Sequence, residues 1–339
     1  MSGLECSEPM DLSIVIVNWN STAFAEKCVA SVVASVKTLA YEIVVVDNDS
    51  PDGATQTLEP LTPRLKVVFA GRNLGFSRAN NLGAARSTGK AILFLNPDTE
   101  VRTEAIDGMY RCLESSREIG IVGCRLLNGD LSVQTSCIQR FPTVSNQFAD
   151  MERLRMMFPQ LTGIGPLFGP VAASAEVEAV SGACLMIRRD VFDRVNGFNT
   201  EYFMYAEDID LCYKVNHAGW SVFHLGSATV VHYGGQSALG QERGSFSAVL
   251  TRESLYRFMK THRGNRYAAA YRVSTVIAAA GRTCVLGAFS VALWVTRRAN
   301  SVAASRRKWW RVLRWSLGLE QWVKCVGDPN AQASTVVTN

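Results

Sequence analysis

Four short apolar runs, each closed by a polar cluster and separated from the next by helix-like or turn-rich sequence, constrain this 339-residue chain more than any other feature. The runs lie at residues 12–17, 41–46, 65–69 and 91–95. Each is strand-length and mostly apolar on both faces, which predicts burial on both faces. Residues 22–37 carry Phe24, Cys28, Val32 and Val36 at helical spacing, and 76–87 reads as a second helix. This alternation predicts an α/β fold: an open, mostly parallel twisted sheet with helices on both faces. Further along, the sequence predicts a strand over 119–133 with a reversal at Asn128-Gly129, and a strand over 180–187. It also predicts a short helix from Arg189, a helix opening at Tyr205-Ala206-Glu207-Asp208 and ending near Gly219, and one or two strands over 220–232. Residues 134–178, with Pro142, Pro159, Pro166 and Pro170, read as a long excursion, a lid or acceptor loop.

An open sheet of this kind binds ligands outside the carboxyl ends of its strands. The polar clusters fall at those ends: Asn18-Trp19-Asn20, Asp47-Asn48-Asp49-Ser50, Gly71-Arg72-Asn73-Leu74-Gly75 and Asn96-Pro97-Asp98. Singly each is ordinary turn chemistry. Four in succession on one rim favour a ligand site. Asp47 and Asp49 can accept hydrogen bonds from a ribose or a base. Asp98, directly after a buried strand, suits a hard divalent cation, which needs few protein carboxylates when phosphates and water complete its shell; a helix cap or turn is its plain structural alternative. His232 follows a β-branched run and precedes Gly234-Gly235, which would admit a ligand or backbone closely. Glu207 and Asp208 open a helix, either as acids favouring its dipole or with one of them as a general base.

Composition excludes several classes. Hydrophobic residues make up 47% and charged residues 19%, so a large core is affordable and wholesale disorder is excluded. Nine scattered cysteines with no CxxC spacing speak against a zinc ribbon or a secreted disulfide framework and suit a reducing cytosol. The first residues lack a basic and apolar leader, so no signal peptide is expected. No Walker A sequence occurs, and no GxGxxG follows the first strand, which weakens NTPase and nicotinamide or flavin readings.

Taken together, SIVIVNWN at 13–20, IVVVDNDS at 43–50, GRNLGFSRANNLG at 71–83, LFLNPDT at 93–99, SGACLMIRR at 181–189, GFNTEYFMYAEDIDLCYKV at 197–215 and VVHYGG at 230–235 resemble the family-2 inverting glycosyltransferases of GT-A type. The resemblance is to bacterial rhamnosyltransferases and covers about residues 11–236. It implies a nucleotide-diphosphate sugar donor, with dTDP-rhamnose first and another donor such as a UDP-hexose as the alternative. It implies Asp47 at the base, with Asn18, Asp49, Asn73, Gly75, Asn80 and Asn96 around the nucleotide-sugar. It places Asp98 at the last position of an Asp-x-Asp metal motif whose first position here is Asn96, a departure that removes one charge. His232 matches a histidine that can complete the shell of Mg²⁺ or Mn²⁺. Asp208 matches the catalytic base, and Glu207 its acidic neighbour near the acceptor. The implied acceptor is a polyprenyl-diphosphate-linked saccharide in cell-surface polysaccharide (O-antigen or cell wall) biosynthesis.

Charge divides the chain. Residues 250–339 carry +12 and five of the seven tryptophans, whereas residues 1–249 carry −7. Residues 274–296 are largely apolar but hold Arg282 and two glycines, marginal for a transmembrane span. Arg297-Arg298, Arg306-Arg307-Lys308, Arg311 and Arg314 alternate with tryptophans, as interfacial anchors do. The expected organisation is a catalytic domain at 1–245 (nucleotide half 11–125, acceptor half 126–245). A basic, helical, membrane-associating region at 246–325 and a flexible tail at 326–339 would follow. That predicts a cytoplasmic protein, peripheral to the inner membrane. A nucleic-acid-binding role for the basic tail is the alternative of another class, and it leaves the rim acids unexplained; nucleic acid is therefore not an expected partner. A non-catalytic glycan-binding relative is disfavoured because Asp98 and Asp208 are both present.

Overall fold

The computed structural model describes residues 10–149, 157–158, 167, 173–234, 241–294 and 300–326. Most of the expected excursion beyond residue 149, Arg297-Arg298 and the tail after residue 326 lie outside the described residues. In chain order, β1 (Leu12–Asn18), α1 (Thr22–Ser35), β2 (Tyr41–Asp47), β3 (Leu65–Phe69), α2 (Gly75–Ala85) and β4 (Ala91–Leu95) come first. They are followed by β5 (Thr99–Val101), α3 (Ala105–Ser115), β6 (Ile119–Leu127), β7 (Ile138–Gln139), α4 (Val144–Phe148), β8 (Ala175–Val177) and β9 (Ala179–Val180). Next are β10 (Cys184–Arg188), α5 (Arg189–Arg194), α6 (Glu207–His217) and β11 (Ser221–His232), then α7 (Gln241–Arg263), α8 (Asn265–Trp294), α9 (Asn300–Ser316) and α10 (Trp322–Cys325). Two compact units result, one of Met1–Phe141, Phe158–Thr200 and Glu207–Ser237, the other of Pro142–Met157, Glu201–Ala206 and Ala238–Asn339.

The first unit is built on a nine-stranded sheet in the order β3-β2-β1-β4-β10-β6-β11-β5, with β8 also on β11. β1, β2, β3 and β4 are mutually parallel, and β6 is parallel to β11. β10 runs antiparallel between β4 and β6, and β5 and β8 pair antiparallel with β11. The runs of β1, β2 and β4 are buried because both faces are covered; β3 departs from the expectation, since it lies at the sheet edge with Lys66 and Phe69 exposed. Leu12, Ile14 and Ile16 pack with Ala25, Cys28, Val29 and Val32 of α1 and Ile106, Met109 and Leu113 of α3. On the opposite face Val15, Ile92 and Phe94 meet α5 and α6 through Val191, Phe192, Leu211 and Val215. Each such buried side chain contributes about 2 kcal/mol of hydrophobic stabilisation. Gly83 lets α2 lie close on the sheet: a Cβ there would stand 2.4 Å from Val15 Cγ1.

The antiparallel insertion of β10 is fastened at the end remote from the rim. Arg188 bonds Glu114 Oε1 at 2.6 Å and Ile119 O at 3.0 Å, while Arg189 reaches Ser87 Oγ at 2.8 Å and Ala84 O at 3.2 Å. The arginines of the SGACLMIRR stretch therefore lock strands. β11 is one 12-residue strand with a register shift between Leu225 and Thr229, which lets its first half take β8 and its second half take β5.

The second unit is helical. Trp315 is buried, and its Nε1 donates to Glu253 Oε2 at 2.9 Å. Arg272 caps the end of α9 through Trp315 O at 2.9 Å and Ser316 O at 3.1 Å. This corrects the reading of the tail tryptophans as a uniform set of anchors: Trp315 belongs to the helical core, while Trp310 is exposed. Among the described residues no helix is long and apolar enough to cross a membrane.

Candidate active site

The rim clusters converge because their strands are neighbours. At the β1–β2 end, Asn18 and Asp47 are register partners. Asp47 is buried; its Oδ1 accepts from Thr55 Oγ1 at 2.5 Å and its Oδ2 faces Ser50 N at 3.4 Å. Asn18 Nδ2 donates to Thr22 Oγ1 at 3.0 Å and Thr55 Oγ1 at 2.8 Å, and Asn18 Oδ1 accepts from Ser21 Oγ at 2.8 Å. Its amide hydrogens are thus spent inside the loop that shapes Asp47. Asp49 is exposed with φ +65°. Asn73 Oδ1 accepts from Gly75 N at 3.0 Å and Asn48 Nδ2 at 3.1 Å, tying the β3 loop to the β2 loop at the start of α2. Gly75 takes φ +76°, a conformation glycine adopts without strain. Asn80 is buried within α2, its Nδ2 on Phe76 O at 3.0 Å.

Beyond the end of β4, β5 at the opposite edge of the sheet brings the second cluster together. Thr99 of β5 stands opposite His232 of β11, and Tyr233 N donates to Asp98 O at 3.0 Å. His232 Nε2 consequently lies 3.4 Å from Asp98 Oδ1 and 3.4 Å from Asn96 Nδ2. Asp98 is buried, and Asn96 Oδ1 is buried without a hydrogen-bond partner. Among the described residues no group of three His, Cys, Asp or Glu gathers for a metal. The set is instead one carboxylate, one imidazole and an orphaned carboxamide oxygen. That donor set fits a hard divalent cation that completes its shell with phosphate oxygens and water.

The third cluster is the start of α6. Asp208 Oδ2 accepts from Gly182 N and from Gln139 Nε2, both at 2.9 Å, and Oδ1 accepts from Ile209 N at 2.8 Å. One lone pair of Oδ1 is left for an incoming donor. The side chain keeps some solvent exposure, and burial pushes its carboxyl above the usual aspartate range. Glu207 is more deeply buried with Oε2 unpartnered. Burial, then the Asp208 charge, pushes it well above the usual carboxylate range and favours its protonated form. The chain enters α6 through Tyr205 and Ala206 at φ +73° and +63°, a locally costly backbone of the kind found at functional sites. Asp210 pairs with Lys214 at 3.6 Å, an intrahelical role.

The second and third clusters share a backbone. Asn96 N donates to Ala183 O at 2.9 Å, and the adjacent Gly182 holds Asp208. Asp47 lies two strands from the end of β4, about 10 Å at ordinary strand spacing. One rim thus carries a buried carboxylate held by Thr55, a carboxylate–imidazole pair, and a carboxylate of raised basicity. Thr55, Gln134, Gln139 and Gly182 escaped sequence reasoning. They carry no charge and lie in turn-rich stretches, and only the pairing of β7 with β9 and the hairpin after β6 bring the glutamines to the site.

The glycosyl transferase family 2 profile matches residues 13–195, more than half of the chain and all but one of the rim strands. The chain belongs to glycosyl transferase family 2. A second profile, the N-terminal domain of galactosyltransferase, matches residues 170–233 and takes in Asp208 and His232. This family-2 enzyme is 26% identical over 246 residues to an N-acetylglucosaminyl-diphospho-decaprenol L-rhamnosyltransferase of Mycobacterium tuberculosis, covering 66% of this chain and 76% of that protein. It is 29% identical over 227 residues to a low-salt glycan biosynthesis hexosyltransferase of Haloferax volcanii, 66% of this chain and 67% of the other. A mannosyltransferase of Pyrobaculum calidifontis, solved in complex with GDP-Man and Mn²⁺, shares the fold with a TM-score of 0.57 at 14% identity, over 93% of this chain and 88% of that one. The chain is a glycosyltransferase with rhamnosyltransferase relatives and the GT-A architecture.

Proposed function

We propose that this glycosyltransferase moves L-rhamnose from dTDP-rhamnose, with inversion, onto a hydroxyl of a polyprenyl-diphosphate-linked saccharide during cell-surface polysaccharide assembly. The observation that carries the reading is Asp208: three donors fix its carboxylate, burial raises its basicity, and one lone pair stays open. A general base needs that combination of rigid aim and raised proton affinity. As the acceptor oxygen attacks the anomeric carbon, its proton passes to Asp208 Oδ1 and the bond to the leaving phosphate breaks. Protonated Glu207 beside it adds no second negative charge next to Asp208, and the Asp210 charge is paired with Lys214.

Asp47 and Asp49 would receive the base and ribose, with Asn73 and Gly75 shaping the loop against the sugar-nucleotide. Asn18 and Asn80 would act by holding that loop and α2. Asp98, His232 and the orphaned Asn96 Oδ1 would hold Mg²⁺ or Mn²⁺. When bound, the cation supplies charge neutralisation on the diphosphate oxygens. The hexosyltransferase relative supports a second donor class, a UDP-hexose.

The acceptor and the location follow the same reading. The Mycobacterium relative is named for a decaprenol-linked acceptor, and such lipids lie in the membrane. On α8 the side chains of Val273 and Ile277, each 60% exposed, and Val285 form an apolar stripe at helical spacing. α9 adds exposed Trp310 beside Arg306, Arg307, Lys308 and Arg311. An apolar stripe with nearby basic residues suits an anionic leaflet, and placement on the cytoplasmic face of the inner membrane follows.

A thermal-shift screen of nucleotide sugars, with and without Mn²⁺, tests the donor. A ligand present at about 100 times its dissociation constant stabilises by about 2.7 kcal/mol. dTDP-rhamnose should raise the midpoint most, and Asp98→Ala or His232→Ala should remove the Mn²⁺-dependent part. A larger shift with a UDP-hexose overturns the rhamnose assignment.

A further inference from the structure

The imidazole of His232 is oriented by a chain of hydrogen bonds whose polarity can be read from its far end. Asp130, at the tip of the hairpin after β6, accepts from Ser132 Oγ at 2.6 Å and from Ser132 N at 3.0 Å. The Ser132 hydroxyl spends its proton there, because a carboxylate only accepts. Ser132 Oγ must then accept from Asn128, which it meets through Nδ2 at 2.9 Å. That fixes the Asn128 amide, so Asn128 Oδ1 receives Gln134 Nε2 at 2.9 Å. Gln134 Nε2 also points at the backbone oxygen of His232 at 3.4 Å, a second acceptor demanding the same amide orientation. Gln134 Oε1 is therefore the atom 2.8 Å from His232 Nδ1, and an oxygen acceptor requires a proton on Nδ1.

We propose that Gln134 is a positioning residue that locks His232 in its Nδ1–H tautomer, so that Nε2 is held as an unprotonated ligand atom beside Asp98. The consequence is visible at the site. Two acceptors, Nε2 and Asp98 Oδ1, face each other at 3.4 Å, and the Asn96 Oδ1 nearby in sequence is buried and orphaned. Nε2 also lies 3.4 Å from Asn96 Nδ2, a donor that can meet only an unprotonated ring nitrogen, so the same tautomer satisfies that contact. A carbonyl oxygen on the non-ligating nitrogen of a metal-binding histidine fixes ring and tautomer and raises ligand basicity. Here the carbonyl comes from a hairpin more than 90 residues earlier in the chain. The proposal rests on the reading of Asp98 and His232 as a cation site, and its test separates the two.

The full chain is titrated with Mn²⁺ and the free ion is followed by electron paramagnetic resonance. Gln134→Met removes the acceptor at similar volume and should weaken Mn²⁺ about 10- to 100-fold, the usual scale for such partners. Gln134→Glu restores an acceptor at Nδ1 and should stay within about threefold of the parent. Parent-like affinity in Gln134→Met, with Asp98→Ala and His232→Ala losing the ion, overturns the Gln134 role alone. Unchanged affinity in Asp98→Ala and His232→Ala overturns the cation site and the proposal with it. A second readout needs no variant at position 134: long-range ¹H–¹⁵N correlation on the labelled parent, assigned with His232→Ala, should show His232 protonated at Nδ1. An Nε2–H tautomer overturns the proposal.

Discussion

His224 shows at the scale of one residue how burial alone sets chemistry. It lies in β11 with no exposure, and neither ring nitrogen has a partner. Burial, with Arg125 adding repulsion, pushes its pKa from 6.5 down to about 4. The unfolded chain therefore takes up a proton near pH 6.5 that the folded chain refuses until about pH 4. Stability is full above pH 6.5 and is lost as pH falls through this window, by up to about 1.4 kcal/mol per unit from this one group. His224→Leu should flatten that loss, so that the thermal midpoint falls less between pH 7 and pH 5 than in the parent. Identical pH profiles for parent and variant would contradict the assignment. The same force acts on Glu207 and Asp208, where burial raises proton affinity and so builds basicity into the site. Residue type alone announced Asp47, Asp98, Asp208 and His232 as candidates. It could not reveal that the amides of Asn18 and Asn80 are engaged within the protein, because an asparagine after a strand or in a helix reads the same whichever way it hydrogen-bonds.

Elements were legible in proportion to how far their own sequence determines them. β1, β2 and β4 were readable because burial on both faces leaves a nearly continuous apolar run, β3 because its Val and Phe favour a strand even at the half-exposed sheet edge, and α6 because acids gather at its start. β5, β7 and β9 have two or three residues each and exist through their partners, so no periodicity could mark them. These short strands nevertheless build the site. β5 sets His232 opposite Thr99, and β7 carries Gln139 to Asp208. The direction of β10 was equally hidden, since an apolar pentapeptide buried on both sides looks alike in either orientation. Its antiparallel insertion is what puts Gly182 and Ala183 next to Asn96 and Asp208. The segment from Gln134 to Gln139 thus serves both ends of the chemistry, holding His232 with one glutamine and Asp208 with the other.

The whole molecule divides its charge, an acidic body of −7 before residue 250 and a tail of +12 after it. The tail folds as helices with Trp315 inside, and its exposed basic residues are available to an anionic surface. Each Lys or Arg near such a surface contributes about 1 kcal/mol. Reversing Arg306, Arg307 and Lys308 to Glu should cut flotation with anionic vesicles at least tenfold, by that per-charge scale, and leave thermal stability near the parent. Equal flotation of parent and variant would detach the tail from the membrane reading without touching the catalytic one. The catalytic claim rests on Asp208, and the most direct measurement is transfer by Asp208→Asn alongside its donor-induced thermal shift. Loss of a positioned base should lower turnover by a factor on the order of 10² to 10⁴ while the shift on donor binding is retained. Turnover within a few-fold of the parent would show that the acceptor proton leaves by another route.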